Sequence, residues 1–326
     1  MKLLVRLPNW LGDVVMSTAF TDALRHNYPD AEIDVIIKKE LGSIAPLIPG
    51  INKIHPFSKK EYAGLKGAYT FGKSLKNEHY DLFFNVPDSI SSAVLAWATR
   101  AKKRVGYSKE GGFFLLTKVC KRPQNVHRVE EYLSILEQFT DKHAEGSVRL
   151  NIEAESNSLV LVNFNSEASS RRMPVDKAID LINRLTAEFP DERFAFIGSP
   201  KEAGHIDDIL INAESKDRLE NYVGKTDLVG LAKLMAGAKA VLTTDSGPAH
   251  LANGVGAPVV ALFGAGNEHN TAPFNKEKLI IIRANKLECE PCVRNTCELY
   301  GIPKCMELLD EMQIIAALRV YLNHHA

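Results

Sequence analysis

The chain has 326 residues, 45% of them hydrophobic, enough to bury two cores rather than one. Its 40 basic and 40 acidic side chains cancel, so the overall balance points to neither nucleic acid nor an anionic membrane as a partner. No apolar run reaches the roughly 18 residues of a spanning helix, and the opening MKLLVRLPNWLGD lacks the pattern of a secretory signal, so a cytoplasmic protein is expected.

The apolar run at residues 3–7 predicts a strand, followed by a loop, PNWLGD. VVMSTAFTDALRHNY (14–28) then places Val14, Thr18 and Leu24 on one face of a helix that Pro29 stops. AEIDVIIKK (31–39) and YDLFFNVPD (80–88) read as strands, and the alternation predicts a parallel sheet with helices on both sides. RVEEYLSILEQFTDKH (128–143) reads as a helix, and the polar stretch around 141–157 as a linker. The pattern then restarts. SLVLVNFN (158–165), RFAFIGSP (193–200), KAVLTTD (239–245) and PVVALFG (258–264) read as strands, with helices at 174–190 and 227–238. The predicted class is α/β, with two Rossmann-like domains facing across a cleft at 1–150 and 151–307. A last helix within 308–326 is expected to pack back on the first domain.

Between the last two strands lies a polar knot, Asp245-Ser246-Gly247-Pro248-Ala249-His250. Pro248 fits the first turn of a short helix running to Gly254, and Gly247 lets a ligand approach the backbone. The first-turn N–H groups carry partial positive charge, so a phosphate fits there. The alternative is a Ser or Asp cap on a short packing helix, with His250 a core histidine. A second strand-to-helix turn, NFNSEASSRRMP (163–174), presents Ser169, Ser170, Arg171 and Arg172. An arginine here can hold a diphosphate through two parallel hydrogen bonds, although a solvated basic turn would look the same. In the first half, Asp13 follows a strand and a glycine. It either caps the helix that starts there or faces the crevice between the halves as a general base for a sugar hydroxyl, and spacing leaves both open.

GAYTFGKS (67–74) fits the phosphate-loop pattern, but the residues ahead of it, KKEYAGLK, make a poor buried strand, so the match is read as chance. GAGNEH (264–269) lacks the third glycine of a dinucleotide fingerprint. Cys289, Cys292, Cys297 and Cys305 could hold a closed, structural tetrahedral zinc, against reduced packing thiols or a disulfide.

LVRLPNWLGDVVMS (4–17), SSRRMP (169–174), TTDSGPAHLANGVGAPVVALFG (243–264) and the C-x-x-C at 289–292 together resemble the bacterial lipopolysaccharide heptosyltransferases of glycosyltransferase family 9 over nearly the whole chain. The P-N-W-L-G-D form, NVPDSISSAVLAWATRAKKRVGY (85–107) and the cysteine-rich tail are most similar to the heptosyltransferase II branch. The resemblance implies a glycosyltransferase B fold and an inverting transfer of heptose from ADP-heptose to the inner-core heptose of lipopolysaccharide, with no metal needed for catalysis. It implies Asp13 as base and Asp245, Ser246, Gly247 and His250 as donor contacts alongside Ser169, Ser170 and Arg171, with acceptor contacts at Trp10 and Asp88. Arg171 stands where relatives usually carry lysine, Met173 where they carry tryptophan, and Asp88 where the branch often has asparagine. The implied partners are ADP-heptose and a lipid-linked inner-core oligosaccharide, with peripheral contact at the cytoplasmic face of the inner membrane and no nucleic acid. No cofactor is implied beyond the candidate structural zinc. Other readings stay open: a family 9 enzyme with a different donor or acceptor, a phosphate-loop enzyme, a sugar-nucleotide epimerase, or a non-catalytic nucleotide-sugar-binding protein.

Overall fold

The computed structural model describes residues 1–109 and 111–323. The chain divides into two compact units, Met1–Asn151 and Ile152–Ala326.

In the first unit, strands β1 (Lys2–Arg6), β2 (Glu32–Lys38), β3 (Ile54–Phe57), β4 (Leu82–Asn85), β5 (Lys103–Gly106) and β6 (Lys118–Val119) form a sheet in the order β3-β2-β1-β4-β5-β6. Every pairing is parallel. Helices α1 (Leu11–Met16), α2 (Thr18–Asn27), α3 (Gly64–Ser74), α4 (Ile90–Ala98) and α5 (Arg128–Thr140) cover it. β1 is buried at all positions after its first, as a central strand covered on both faces must be. The helix predicted from residue 14 starts earlier, at Leu11, and breaks at Ser17, whose hydroxyl donates to the Val14 carbonyl at 2.7 Å. The GAYTFGKS segment lies inside α3, not in a loop. Gly72 serves close helix packing: a Cβ there would sit 2.3 Å from the Leu95 carbonyl oxygen of α4.

One polar cluster ties the interior of this unit. Asp34 of β2 is fully buried and accepts from the Tyr80 hydroxyl at 2.6 Å, from Asn52 Nδ2 at 3.0 Å and from the Lys53 N–H at 3.0 Å. Burial pushes its carboxyl up, but hydrogen bonds from His55, Tyr80 and Asn52 outweigh this and bring it to about 2.

The second unit repeats the plan. Strands β7 (Leu159–Asn163), β8 (Arg193–Phe196), β9 (Leu219–Asn221), β10 (Ala240–Thr244), β11 (Val259–Phe263) and β12 (Leu279–Arg283) run in the order β12-β11-β10-β7-β8-β9. The helices are α6 (Val175–Glu188), α7 (Ala203–Asn212), α8 (Leu228–Ala236), α9 (Gly247–Gly254), α10 (Glu268–Thr271), α11 (Lys304–Glu307) and α12 (Glu311–Leu322). Read from β9, this is the same strand order as in the first unit. The order of connection therefore reverses between β1 and β4 in one unit and between β7 and β10 in the other. In open α/β sheets these switch points open a crevice at the carboxyl ends of the strands where ligands bind.

The last helix contributes to the core of the second unit. Ile314, Ile315, Leu318 and Leu322 of α12 are buried in the second unit's own core, with Leu181, Ile182 and Leu185 of α6. Lys177 and Arg184 of α6 hold Glu311 at its first turn. Among the described residues, no helix is long and apolar enough to cross a membrane.

Candidate functional site

In the first unit the switch point lies between the loops that follow β1 and β4. Arg6, at the end of β1, is buried and points its guanidinium at the first of these loops. It donates to the Leu7 carbonyl and Asn9 Oδ1, each at 2.5 Å, and to the Ile36 carbonyl at 3.3 Å. Burial lowers its pKa to about 10, so it stays charged near neutrality and fixes the P-N-W-L-G-D turn. Trp10 precedes α1 in extended conformation with no side-chain cap. Trp10 is 59% exposed, with Lys38 Nζ 6.0 Å from its ring centroid.

Asp13 is the third residue of α1 rather than its cap, which corrects the capping alternative. Its charge still complements the helix dipole, but its side chain turns to α5. Oδ1 accepts from the Tyr132 hydroxyl at 2.8 Å and lies 3.8 Å from Arg128 Nε, and no described residue donates to Oδ2. Burial, then the Asp13 charge, push the Tyr132 phenol well above its ordinary value, so it remains a donor at any working pH.

From Asp13 an alternating chain of charges runs along this edge. Arg128 Nη1 reaches Glu131 at 3.1 Å, and Glu131 meets Arg122 Nε at 3.2 Å. Arg122 Nη2 reaches Asp88 at 3.1 Å, and Asp88 ends on Lys109 Nζ at 2.9 Å. Burial raises the Asp88 carboxyl, but Lys109 and Arg122 more than offset this and hold it below its usual range. The chain joins both loops of the switch point, so Asp13 and Asp88 belong to one edge of one sheet.

In the second unit, Arg171 ends a short 3-10 turn (Ser169–Arg171) after β7, and Asp245 follows β10. Arg171 Nη1 lies 3.1 Å from Asp245 Oδ2. Asp245 is 3% exposed. Burial raises its pKa to about 6, with Arg171 and Arg283 pulling it down and Glu268 adding to the rise. Gly266 presses on this carboxylate, since a Cβ there would lie 1.9 Å from Oδ2. Arg283, at the end of β12, holds that loop by donating to the carbonyls of Gly264 and Gly266 and to Glu268.

Ser246 precedes α9 but does not cap it. Its hydroxyl accepts from Asn163 Nδ2 at 2.9 Å and donates to the Thr244 carbonyl at 3.0 Å. The first turn of α9 is thus left open by its own side chain, as an anion site requires. His250 is buried one turn further in.

Ser169 and Ser170 are placed differently from expectation. The Ser169 hydroxyl donates to the Asn295 carbonyl at 3.3 Å, and that of Ser170 to the Arg294 carbonyl at 2.5 Å. Their protons fasten the 294–295 loop and are not offered to a phosphate. The structure adds a residue the sequence reading missed. Asn165, 1% exposed, has both side-chain atoms without a hydrogen-bond partner. Its amide nitrogen lies 3.3 Å from where a Cβ of Gly198 would be, at the ends of β7 and β8. Such a buried orphan is costly unless a ligand completes it.

The four cysteines of the candidate zinc set differ in their settings. All four cysteines are free. Cys305 is buried in α11, its Sγ only 2.7 Å from where a Cβ on Gly264 would sit, whereas Cys289, Cys292 and Cys297 are partly exposed. Among the described residues no three His, Cys, Asp or Glu side chains gather to hold a metal.

Residues 68–302 match the family described as glycosyltransferase family 9 (heptosyltransferase). The chain is 27% identical over 307 residues to lipopolysaccharide heptosyltransferase 2 of Salmonella typhimurium, covering 86% of this chain and 88% of that one. It is 26% identical over 285 residues to the lipopolysaccharide core heptosyltransferase OpsX of Haemophilus influenzae, covering 81% and 79%. The solved structure of E. coli ADP-heptose lps heptosyltransferase II superposes with a TM-score of 0.83 at 22% identity over 100% of both chains. That likeness carries the fold: two parallel six-stranded units of the glycosyltransferase B type.

Proposed function

Because the chain belongs to glycosyltransferase family 9, the heptosyltransferases, we propose that it moves heptose from ADP-heptose to a heptose of the lipopolysaccharide inner core, inverting the anomeric carbon. The names of the relatives supply the donor and acceptor classes. The observation that carries the chemistry is the state of Asp13: one carboxylate oxygen is fixed by Tyr132, and no described residue donates to the other.

In this reading the first unit binds the acceptor. The attacking hydroxyl passes its proton to Asp13 Oδ2 while its oxygen bonds to the anomeric carbon. The bond from that carbon to the β-phosphate oxygen breaks, and ADP leaves with the electron pair. The second unit holds ADP. Arg171 and the open first turn of α9 face the charge that grows on the leaving diphosphate, which is where preorganised donors lower a barrier most. Asp245 holds Arg171 in place, and the amide of Asn165 offers the nucleotide both a donor and an acceptor. An arginine and a helix N-terminus supply the positive charge for which other transferases recruit a divalent ion, so no metal is required. Trp10 and Asp88 contribute to the acceptor side, Trp10 as an exposed ring on which a sugar face can lie.

The test is incubation of the purified protein with ADP-heptose, with and without a heptosylated core acceptor, in the presence of a chelator. ADP should appear only with acceptor, in step with a heptose mass added to it. ADP release without acceptor would point to epimerase-type chemistry, and tight donor binding without transfer to a binding protein. Transfer to a core acceptor lacking heptose would reassign the acceptor.

A further inference from the structure

The neutral overall charge hides a local surplus. Residues 100–128 contain nine lysines and arginines but a single acidic residue, in a chain whose totals are 40 and 40. This segment includes β5, the turn after it and β6, which is the edge strand of the first sheet. The turn, Gly112–Leu115, presents Phe113 at 47% and Phe114 at 81% exposure. The two rings lie against each other, centroids 3.9 Å apart. Val119 of β6 adds a third apolar side chain at 45% exposure. Lys118 and Lys121 flank it, both exposed, and neither forms an ion pair with any described residue.

Lysines on an edge strand keep other strands from pairing there, which accounts for Lys118. It does not account for two adjacent phenylalanines in water, because single exposed apolar residues are ordinary but a clustered aromatic tip is not. The combination of exposed rings and unpaired lysines at the following strand suits a surface that is apolar beneath and negative on top. The turn also adjoins the acceptor half-site, since the Gly112 N–H bonds to the Lys109 carbonyl at 3.1 Å and the Lys109 N–H to the Asp88 carbonyl at 2.9 Å.

We propose that the Phe113–Phe114 turn and the lysines of the β6 edge dock the first unit onto an anionic lipid bilayer. The rings enter the boundary between headgroups and acyl chains, and Lys118 and Lys121 pair with headgroup phosphates. The use of this docking, to bring Asp13 and Asp88 to the level of a lipid-linked acceptor, rests on the function proposed above, whereas the docking itself does not.

The test is flotation of the full-length protein with vesicles of phosphatidylcholine alone and of phosphatidylcholine with phosphatidylglycerol, with no acceptor present. Binding is expected only with phosphatidylglycerol and should weaken with salt. Lys118→Gln and Lys121→Gln should each lower the partition coefficient about fivefold, and Phe114→Ser about tenfold. Phe114 is so exposed that its replacement leaves the core intact, which an unchanged melting temperature verifies. Transfer to a deacylated, water-soluble acceptor should be the same in all three variants. Absence of binding to phosphatidylglycerol vesicles overturns the proposal. So does a loss confined to the lysine variants, which would mean electrostatic adsorption without insertion of the rings. Failed docking with intact transfer leaves the enzymatic reading standing; intact docking with no transfer in any arm removes that reading instead.

Discussion

Removing the Tyr132 hydroxyl leaves Asp13 Oδ1 with only Arg128 Nε, 3.8 Å away. Hydrogen bonds to charged groups are worth about 1.5–3 kcal/mol, so Tyr132→Phe should lower kcat about 10- to 100-fold while leaving the acceptor KM unchanged in steady-state kinetics. An unchanged kcat would mean that Tyr132 does not orient the base. Asp245 makes a prediction of opposite character. Its carboxyl ionises near 6 in the folded protein and near 4 when unfolded. Its contribution to stability is therefore present below about pH 4 and lost as pH rises through about 6, amounting to about 2–3 kcal/mol. Relative to Asp245→Asn, the melting temperature of the wild-type second unit should fall across that window, and a flat difference would contradict the shift. At this scale the sequence was legible where a residue ends a strand. Asp13, Arg171 and Asp245 could be picked out because strand ends are where ligands meet α/β sheets. Tyr132 could not, because it meets Asp13 across 119 residues of chain. Ser169 and Ser170 looked like phosphate donors because a sequence shows hydroxyls and not the carbonyls they face.

Among elements, the loop between β11 and α10 has the sharpest constraint. Gly266→Ala puts a methyl group 1.9 Å from Asp245 Oδ2, so either the carboxylate or the backbone must move. Arg283 ties that backbone down, so the carboxylate yields and Arg171 loses its partner. ADP affinity measured by calorimetry should drop at least about tenfold, in line with the loss of one charge-assisted hydrogen bond. Wild-type affinity in Gly266→Ala would detach Asp245 from the nucleotide. The strands that could be read from the sequence, β1, β2, β4, β7, β8, β10 and β11, are apolar runs between turn signals. β3, β6 and β9 are short and partly polar, with no period to detect, and their neighbours in the sheet define them. α12 shows a related limit. Its apolar positions announce that the helix is buried but not what it meets; the structure packs it against α6, where Lys177 and Arg184 also hold Glu311.

Over the whole molecule, one strand order is used twice with opposite chemistry. The first unit's switch point carries a carboxylate held by a phenol, at one end of a chain of paired charges. The second carries an arginine, an uncapped helix start and an orphaned amide. That division matches an acceptor that must lose a proton and a donor that must shed an anion. It also accounts for the absence of a metal requirement in the proposal, and dialysis against a chelator should leave turnover unchanged. Whole-chain composition was informative about class and silent about surface, because a zero balance averages away the basic stretch at 100–128. The most direct test is turnover of Asp13→Asn at saturating donor and acceptor. It should fall about 10²–10⁴-fold, the contribution of a positioned general base. Wild-type turnover in that variant would contradict the assignment of Asp13 and, with it, the division of labour between the two units.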